Sequence, residues 1–310
     1  MNIAVTGASG LIGTALVADL RADGYRVIRL VRGAPAAGDP DSAHWDPVAG
    51  TIDAAALEGL DGVVHLAGQG IGDKRWTRAQ KQRILESRTL GTTLLAETLA
   101  GAATPPKVLV SGSAVGWYGS RGDQVLTEDS QPPVPLDFAA DVCRQWEAAT
   151  EPAIAAGIRT VHLRTGIVLA AHGGAQSRML TPFRLGLGGR IGSGRQYMSW
   201  IALADEVGAI RHVLTHDDLR GPVNATAPNP VTNAEFTKAL GHALHRPTAL
   251  PTPLAPLKAV YGSELVQHLL VEGQLVRPNR LVDSGYEFES PTLDAALASI
   301  LGRAAKQPAR

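Results

Sequence analysis

The first pattern in this chain that could bind a ligand is formed by three glycines near the amino terminus: Gly7, Gly10 and Gly13. They follow an apolar run at residues 3–5, whose β-branched members suit a strand buried on both faces. After Gly10 the apolar residues recur every four positions, and this spacing predicts a helix. A strand that turns through glycine into a helix directs free backbone N–H groups at the turn. Because glycine has no Cβ atom, such a turn can hold a diphosphate closely.

A cation follows the second predicted strand. The apolar run at residues 27–31 comes at the distance expected for a strand–helix–strand unit, and Arg32 stands directly after it. An acidic residue near this place would bind the ribose hydroxyls of NAD, whereas an arginine can pair with the 2′-phosphate of NADP and stack on its adenine. The sequence therefore predicts NADP(H) as the cofactor. An arginine that is only a solvated loop charge is the alternative interpretation.

Two further strand ends are predicted to face the same ligand. Residues 61–68 form an apolar run that ends in small residues, which permit close approach at the carboxyl end of a parallel strand. Residues 108–110 predict another strand, which leads into hydroxyl groups and aromatic side chains. Ser113 could hydrogen-bond a substrate oxygen, and Tyr118 could do the same or donate a proton. A packed, hydrogen-bonded structural tyrosine is the alternative for Tyr118.

The predicted site combines these segments. Its predicted catalytic residues are Ser113 and Tyr118, and no metal ion is expected. The strand predicted from residue 159 continues through Arg164 toward the substrate side, so this arginine is added to the cofactor-binding set. That set consists of Thr6, Gly7, Gly10, Leu11, Ile12, Gly13, Arg32, Leu66, Ala67, Gly68 and Arg164.

Composition excludes several classes of protein. Lys and Arg total 29, as do Asp and Glu, so the net charge does not favour a nucleic acid or another acidic polymer as partner. Cys143 is the only cysteine, which excludes a disulfide framework and a cysteine metal cluster. No apolar run approaches the roughly 18 residues that a membrane helix needs, and the chain begins directly with a predicted strand. We therefore expect a soluble, cytoplasmic protein that acts on a small molecule as a monomer or homodimer.

The order of the predicted elements indicates an α/β protein with a doubly wound, mostly parallel (Rossmann) sheet and a smaller C-terminal lobe. We predict a nucleotide-binding domain at residues 1–225, with a substrate-side excursion near 166–200. Proline becomes frequent after Ala225, and residues 226–310 are predicted to form the small C-terminal domain. Residues 33–50 are rich in Ala, Asp, Pro and Gly and predict a surface loop with Trp45 exposed.

These segments together resemble a known family. The glycine pattern and the segments at 61–68, 111–119 and 200–205 resemble the extended or atypical short-chain dehydrogenase/reductase superfamily. A narrower resemblance is to the NAD(P)-dependent epimerase family of sugar-nucleotide-epimerase-like proteins with a small C-terminal domain of unknown function. It rests on Arg75-Trp76-Thr77, Ser-Gly-Ser-Ala-Val-Gly-Trp-Tyr-Gly at 111–119, Trp146-Glu147, and the segments at 273–278 and 291–293. The resemblance spans nearly the whole chain and implies both the fold and a nicotinamide cofactor.

One departure from the superfamily accompanies this resemblance. Its members normally carry a Tyr-x-x-x-Lys pair, in which the tyrosine is the acid or base and the lysine lowers its pKa and holds the nicotinamide ribose. The corresponding helix is predicted at residues 137–149 and contains neither a tyrosine nor a lysine. Ala139 occupies the tyrosine position and Cys143 the lysine position. Ser113 matches the family serine that orients the substrate.

Two functions are therefore predicted as alternatives. The first is an NADP-dependent oxidoreductase or epimerase that acts on a small polar or sugar-like substrate, with hydride transfer at the nicotinamide. The second is a catalytically silent regulatory or scaffold protein that keeps the NADP site. Both predict nucleotide binding, but only the first predicts that a substrate changes the redox state of the nucleotide.

Overall fold

A mostly parallel sheet forms the centre of the structure, a computed structural model that describes residues 1–35, 38–171 and 180–306. The strands are, in chain order, β1 (Asn2–Thr6), β2 (Arg26–Val31), β3 (Ser42–Asp46), β4 (Thr51–Ile52), β5 (Gly62–His65), β6 (Val108–Ala114), β7 (Val125–Leu126), β8 (Arg159–Thr165), β9 (Ile167–Leu169), β10 (Tyr197–Met198), β11 (Trp200–Ala202), β12 (Gly221–Ala225), β13 (Val231–Thr232) and β14 (Leu275–Val276). The helices are α1 (Leu11–Ala22), α2 (Arg78–Ala100), α3 (Phe138–Ala148), α4 (Glu151–Ala155), α5 (Leu203–Thr215), α6 (Asn233–Ala243), α7 (Leu254–Tyr261), α8 (Ser263–Val266), α9 (Asn279–Asp283) and α10 (Leu293–Lys306). Within the part of the chain that the structure describes, no helix is long and apolar enough to cross a membrane.

The strand order places the crevice of the sheet. Eight strands form one sheet in the order β12-β8-β6-β5-β1-β2-β3-β4, and neighbours are parallel except at the antiparallel β3/β4 pair. Strands β2, β3 and β4 lie on one side of β1. Strands β5, β6, β8 and β12 lie on its other side, in that order. In sheets of this kind a ligand crevice opens at the carboxyl ends of the strands where the direction reverses, here between β1 and β5. The predicted doubly wound, mostly parallel sheet is confirmed.

Helices cover both faces of the sheet because side chains alternate along each strand. Ile3 and Val5 of β1 point to one face and share a core with Leu16 of α1. Ala4 points to the other face and shares a core with Leu95 of α2. Both leucines are fully buried, and each such burial contributes roughly 1.5–3 kcal/mol to the stability of the fold. The buried apolar run predicted at the amino terminus is therefore the central strand of the sheet.

The helices around the crevice begin in different ways. The Thr77 hydroxyl accepts a hydrogen bond from the Gln80 amide at the start of α2 (3.2 Å). The Asp137 carboxylate likewise accepts one from the Ala140 amide at the start of α3 (2.8 Å). Gly10 stands at the cap position of α1 and offers no side chain to the first-turn amides. Those amides are therefore left for another acceptor.

The prediction of a surface loop at residues 33–50 is wrong for part of that segment. Ser42–Asp46 form β3 of the main sheet, and Trp45 is buried rather than exposed. Ala43 and Trp45 face the core, while the alternate residues are half-buried, as expected for a strand with one solvated side. The turn-forming residues on both sides of this five-residue strand concealed its period-two pattern.

The C-terminal region packs on the segment between β8 and α5. Strand β13 pairs with β10, and β14 pairs with β7. A separate apolar core joins Leu169 and Trp200 to Phe236, Leu240 and Leu297. The smaller C-terminal lobe is confirmed. The division of the chain at residues 225 and 226 stays a prediction, since this core contains residues from both sides of it.

Candidate functional site

The glycine turn after β1 is shaped by contacts that exclude any Cβ atom. Gly7 has a φ of +66°, in the region that favours glycine. A Cβ atom on Gly13 would lie 2.2 Å from the Gly7 carbonyl oxygen, which accepts a hydrogen bond from the Gly10 amide at 2.9 Å. A Cβ atom on Gly7 would lie 2.8 Å from the carbonyl carbon of Leu66. The turn therefore packs directly on the segment that follows β5.

The amino end of α1 opens at this turn. The first bond within the helix is donated by the Thr14 amide to the Gly10 carbonyl, at 2.9 Å. The amides of Leu11, Ile12 and Gly13 thus have no acceptor within the helix. No acidic side chain lies in the first turn of α1. Three free N–H groups at the positive end of a helix dipole favour an anion, so this geometry is compatible with the predicted diphosphate site.

Thr6 links the ends of β1 and β5 beneath this turn. Its side chain is fully buried, and its hydroxyl accepts hydrogen bonds from the amides of Leu66 (3.1 Å) and Ala67 (3.2 Å). The Thr6 side chain therefore holds the chain after β5 in place and is not exposed to a ligand. Leu66 and Ala67 are half-buried and Gly68 is exposed, so these three residues line the crevice.

His65 completes this link, and sequence reasoning assigned it no role. Because Thr6 already accepts two hydrogen bonds, its proton is directed to Nδ1 of His65, 2.7 Å away. Nε2 of His65 then donates to the hydroxyl of Thr92 on α2, at 3.0 Å. Burial lowers the pKa of His65 to about 4, so the ring is neutral at physiological pH. His65 is thus a structural bridge, and only its long-range partners distinguish it from a catalytic histidine.

Arg32 is available to an anion. It is exposed just beyond β2 and makes no hydrogen bond or ion pair with any residue in the described ranges. The preceding arginines of the strand are paired: Arg26 with Asp41 at 3.6 Å, and Arg29 with Asp39 at 2.8 Å. This geometry agrees with both interpretations of Arg32, as a phosphate ligand and as a solvated charge. Only the first predicts that NADP(H) binds more tightly than NAD(H).

Arg164 lies in a buried network on the other side of β5. Its Nε and Nη2 donate to the two carboxylate oxygens of Glu147 on α3, at 2.8 and 2.9 Å. Its Nη1 donates to the Tyr118 hydroxyl at 3.0 Å, and its Cζ lies 3.9 Å from the ring centroid of Trp117. The side chain is 3% exposed. These contacts occupy the guanidinium, so the geometry does not favour the predicted contact of Arg164 with the cofactor.

Both predicted catalytic hydroxyls belong to the same Arg164 network. Ser113 on β6 is buried and donates to Glu147 Oε1 at 2.7 Å. Tyr118 is fully buried, accepts the bond from Arg164, and donates to Asn224 Oδ1 at 2.7 Å. Burial raises the pKa of the Tyr118 hydroxyl, the opposite of what an acid–base tyrosine needs. The structure therefore brings Ser113, Tyr118 and Arg164 together, but it uses their polar groups internally.

Replacing Tyr118 with phenylalanine distinguishes a structural hydroxyl from a catalytic one. The change leaves Asn224 Oδ1 without its buried donor, so we expect the free energy of unfolding to fall by about 1–3 kcal/mol, with nucleotide binding unchanged. Urea denaturation and calorimetry measure the two quantities. Tyr25→Phe is the control, since the Tyr25 hydroxyl has no hydrogen-bond partner among the described residues. Loss of a turnover at unchanged stability would instead support the catalytic prediction.

Comparison with known proteins identifies the family. Residues 3–225 match the NAD dependent epimerase/dehydratase family, and residues 252–300 match a domain of unknown function, DUF1731. The chain belongs to the epimerase family. It is 44% identical over 295 residues to an epimerase family protein of Mycobacterium bovis, covering 95% of this chain and 96% of that one. It is also 39% identical over 303 residues to the human epimerase family protein SDR39U1, covering 97% and 100%.

Solved structures of epimerase family members share the fold. A crystal structure of human SDR39U1 with NADPH has a TM-score of 0.88 and 37% identity, covering 97% of this chain and 99% of that chain. A nucleoside-diphosphate sugar epimerase from Corynebacterium glutamicum has a TM-score of 0.80 and 37% identity, covering 98% of this chain and 58% of that chain. The resemblance recognised from the sequence motifs is confirmed.

The resemblance predicts that the Tyr-x-x-x-Lys pair would stand on α3, with Ala139 at the tyrosine position and Cys143 at the lysine position. Cys143 at the lysine position is buried, and its Sγ lies 3.6 Å from the carbonyl oxygen of Ala114. Burial raises the pKa of this thiol to about 12, so Cys143 is neither a cation nor a reactive thiolate. The methyl group of Ala139 cannot transfer a proton. Among the described residues, no cluster of His, Cys, Asp and Glu could hold a metal ion.

Glu206 is a buried carboxyl group to which the sequence analysis assigns no role. It lies in the first turn of α5 and is fully buried. Its Oε1 accepts a hydrogen bond from the Thr165 hydroxyl at 2.8 Å, while Oε2 has no partner among the described residues. Burial raises the pKa of Glu206 to about 8. The carboxyl group is therefore mostly protonated at neutral pH.

The protonation of Glu206 predicts how stability depends on pH. Between about pH 4.5 and 8 the folded chain keeps a proton that the unfolded chain has lost, so the free energy of unfolding falls as pH rises, by at most about 1.4 kcal/mol per pH unit. Glu206→Gln imitates the protonated form and should remove this fall. We expect the variant and the parent to melt alike near pH 5, and the variant to melt at a higher temperature near pH 8. Equal melting temperatures at both pH values would show that the buried carboxyl is not protonated.

Proposed function

We propose that this chain binds NADP(H) across the carboxyl ends of β1 and β5 and is an oxidoreductase or epimerase of a small polar or sugar-like substrate. The observation that carries the choice of nucleotide is Arg32, an exposed and unpaired guanidinium directly after β2. A guanidinium at this place in a Rossmann sheet can accommodate a 2′-phosphate. The presence of NADPH in the structure of the human family member supports the same choice.

The residues of the crevice fit a dinucleotide. The absent Cβ atoms of Gly7 and Gly13 let the diphosphate approach the backbone, and the amides of Leu11 and Ile12 would donate to its oxygens. The chain at residues 66–68 would lie along the nucleotide. The bound nicotinamide supplies hydride transfer, and the residues of this chain hold and orient it.

A catalytically silent NADP-binding regulator or scaffold is the second candidate function. It is favoured by the side chains at the pair positions, Ala139 and Cys143, neither of which transfers a proton. It is favoured also by the buried, hydrogen-bonded state of Ser113 and Tyr118. For either hydroxyl to act on a substrate, as the sequence predicts, the Arg164 network would have to open. The enzyme proposal therefore depends on a substrate that is shown to be turned over.

Two measurements test the proposal in order. Titration calorimetry with NADPH and NADH should show binding, with NADPH held more tightly. Substrates are then added to the protein with bound nucleotide, in a panel of sugar nucleotides, carbonyl compounds and quinones, and the absorbance of the reduced nicotinamide is followed. A substrate-dependent change supports the enzyme, whereas binding with no change across the panel favours the regulator. If neither nucleotide binds, both candidate functions are wrong.

A further inference from the structure

Three leucines are highly exposed on two loops of the region between β9 and α8. Leu185 and Leu187 follow the helical turn at residues 180–184 and are 69% and 72% exposed. Leu250 precedes α7 and is 80% exposed. We call these three side chains the leucine patch. Single exposed apolar residues are ordinary on a protein surface, but a group of them marks a site of interaction.

Backbone contacts hold the two loops of the leucine patch side by side. The Thr252 amide donates to the Arg190 carbonyl, and the Thr252 hydroxyl donates to the Gly189 carbonyl, both at 2.9 Å. A Cβ atom on Gly189 would lie 1.7 Å from the Leu250 carbonyl oxygen, so the two backbones touch at this glycine. Leu187 is two residues before Gly189 and therefore shares one surface with Leu250.

The turn that carries Leu185 and Leu187 has a fixed backbone. Gly186 has a φ of +72°, and its amide donates to the Phe183 carbonyl at 2.9 Å. The Leu187 amide donates to the Pro182 carbonyl, also at 2.9 Å. These two bonds form a Schellman motif, which ends the helical turn. Because Phe183 anchors the turn in the C-terminal core, the two exposed leucines are held on its outer side.

The charges around the leucine patch are all positive. Residues 180–195 and 246–261 contain no Asp or Glu. The charged residues of the two segments are Arg184, Arg190, Arg195, Arg246 and Lys258. The four arginines are exposed, and none of the five cations pairs with a carboxylate in the described ranges. A chain with no net charge thus concentrates positive charge beside its exposed leucines.

This combination favours a lipid bilayer over a protein as the partner. A second copy of the chain, bound through the same surface in a symmetric dimer, would place these cations against their own copies. A groove that receives a peptide or a helix has concave apolar walls, whereas side chains as exposed as these leucines protrude from the surface. Protruding apolar side chains among cations are the two elements of peripheral membrane binding, because the first enter the acyl region and the second attract anionic headgroups.

We propose that the leucine patch and its cations bind the anionic phospholipid surface of a membrane. Leu185, Leu187 and Leu250 enter the bilayer, and the surrounding cations pair with lipid phosphates. This attachment needs no helix that crosses the bilayer, and it does not depend on the nucleotide proposed for the crevice. Salt weakens it, because dissolved ions screen the attraction between the cations and the headgroups.

Sedimentation of the full chain with lipid vesicles tests the proposal. The vesicles contain phosphatidylcholine alone, or phosphatidylcholine mixed with phosphatidylglycerol. We expect the protein to sediment with the mixed vesicles, and the bound fraction to fall when salt is added. Leu185→Ser combined with Leu187→Ser keeps every charge and should weaken this binding by about 10-fold or more, because less apolar area enters the bilayer. Arg184→Gln combined with Arg195→Gln keeps every leucine and should weaken it by about 10- to 30-fold.

Val48→Ser and Arg83→Gln are the matched controls. Val48 is also highly exposed, on the turn between β3 and β4, and Arg83 is exposed on α2. Both variants should bind the mixed vesicles as the parent protein does, since neither residue belongs to the leucine patch or its cations. Melting temperatures check that all variants are folded, and Leu250→Ser replaces the double leucine variant if that variant is unstable.

Three results would overturn the proposal. The first is that the parent protein does not sediment with the mixed vesicles, or sediments equally with phosphatidylcholine alone. The second is that the leucine and arginine variants bind the mixed vesicles as tightly as the controls. The third comes from sedimentation velocity without lipid: a parent protein that self-associates and a leucine variant that does not would assign the patch to a second copy of the chain.

Discussion

Arg32→Asp is expected to weaken NADPH binding by at least about 10- to 100-fold and to change NADH binding little. The variant replaces a charge-assisted contact, which is typically about 1.5–3 kcal/mol, with repulsion between a carboxylate and the 2′-phosphate. NADH has no phosphate at that position, so only the stacking of the guanidinium on the adenine would be lost. The ratio of the two dissociation constants, measured by calorimetry, should approach one or invert.

The Arg32 side chain makes no hydrogen bond or ion pair with a described residue, so its replacement should affect nucleotide binding without affecting stability. Because no described residue pairs with its guanidinium, its removal leaves no buried partner behind and should not destabilise the fold. Arg220→Asp is a matched control: Arg220 is also exposed, precedes the amino end of β12, and undergoes the same change in charge. Equal loss of NADPH and NADH affinity in Arg32→Asp would remove Arg32 from the 2′-phosphate and leave the solvated-charge interpretation.

Arg164→Met is expected to lower the free energy of unfolding by about 3–5 kcal/mol, the largest stability effect that the structure predicts. The change removes the bidentate partner of Glu147, whose carboxylate is buried and would keep the Ser113 hydroxyl as its hydrogen-bond donor, with Nδ1 of His162 3.7 Å away. An uncompensated buried charge has a cost of this size. The Tyr118 hydroxyl also loses a donor. Urea denaturation measures the change directly.

A double variant distinguishes the effect of breaking the Arg164–Glu147 ion pair from the effect of removing the Arg164 side chain. Adding Glu147→Leu to Arg164→Met removes the stranded carboxylate, so the pair of changes should destabilise the protein less than the sum of the two single changes. Additive losses would contradict a coupled ion pair. If Arg164→Met instead keeps its stability and loses NADPH affinity, the predicted cofactor contact of Arg164 is supported and the structural role is wrong.

Local sequence determined the glycine turn at the edge of the crevice. The spacing of Gly7, Gly10 and Gly13 encodes a turn that excludes Cβ atoms, and the apolar periods on either side encode a strand and a helix. These are short-range properties, because they depend on backbone sterics and on side-chain direction within a few residues. The doubly wound sheet, the small C-terminal lobe and the family were accordingly predicted from the chain alone, and all three are confirmed.

Tertiary structure decided which polar groups are free. Tyr118 bonds Asn224, 106 residues away, and the Glu128 carboxylate accepts from the Arg280 amide, 152 residues away, so no local pattern could reveal these partners. The same holds for Arg164, whose partner Glu147 comes from helix α3. The sequence shows the same hydroxyl or guanidinium whether that group is exposed to solvent or already hydrogen-bonded inside the fold. Only the packing of distant segments, which sets burial and hydrogen-bond partners, distinguishes a group that can meet a ligand from one that holds the fold together.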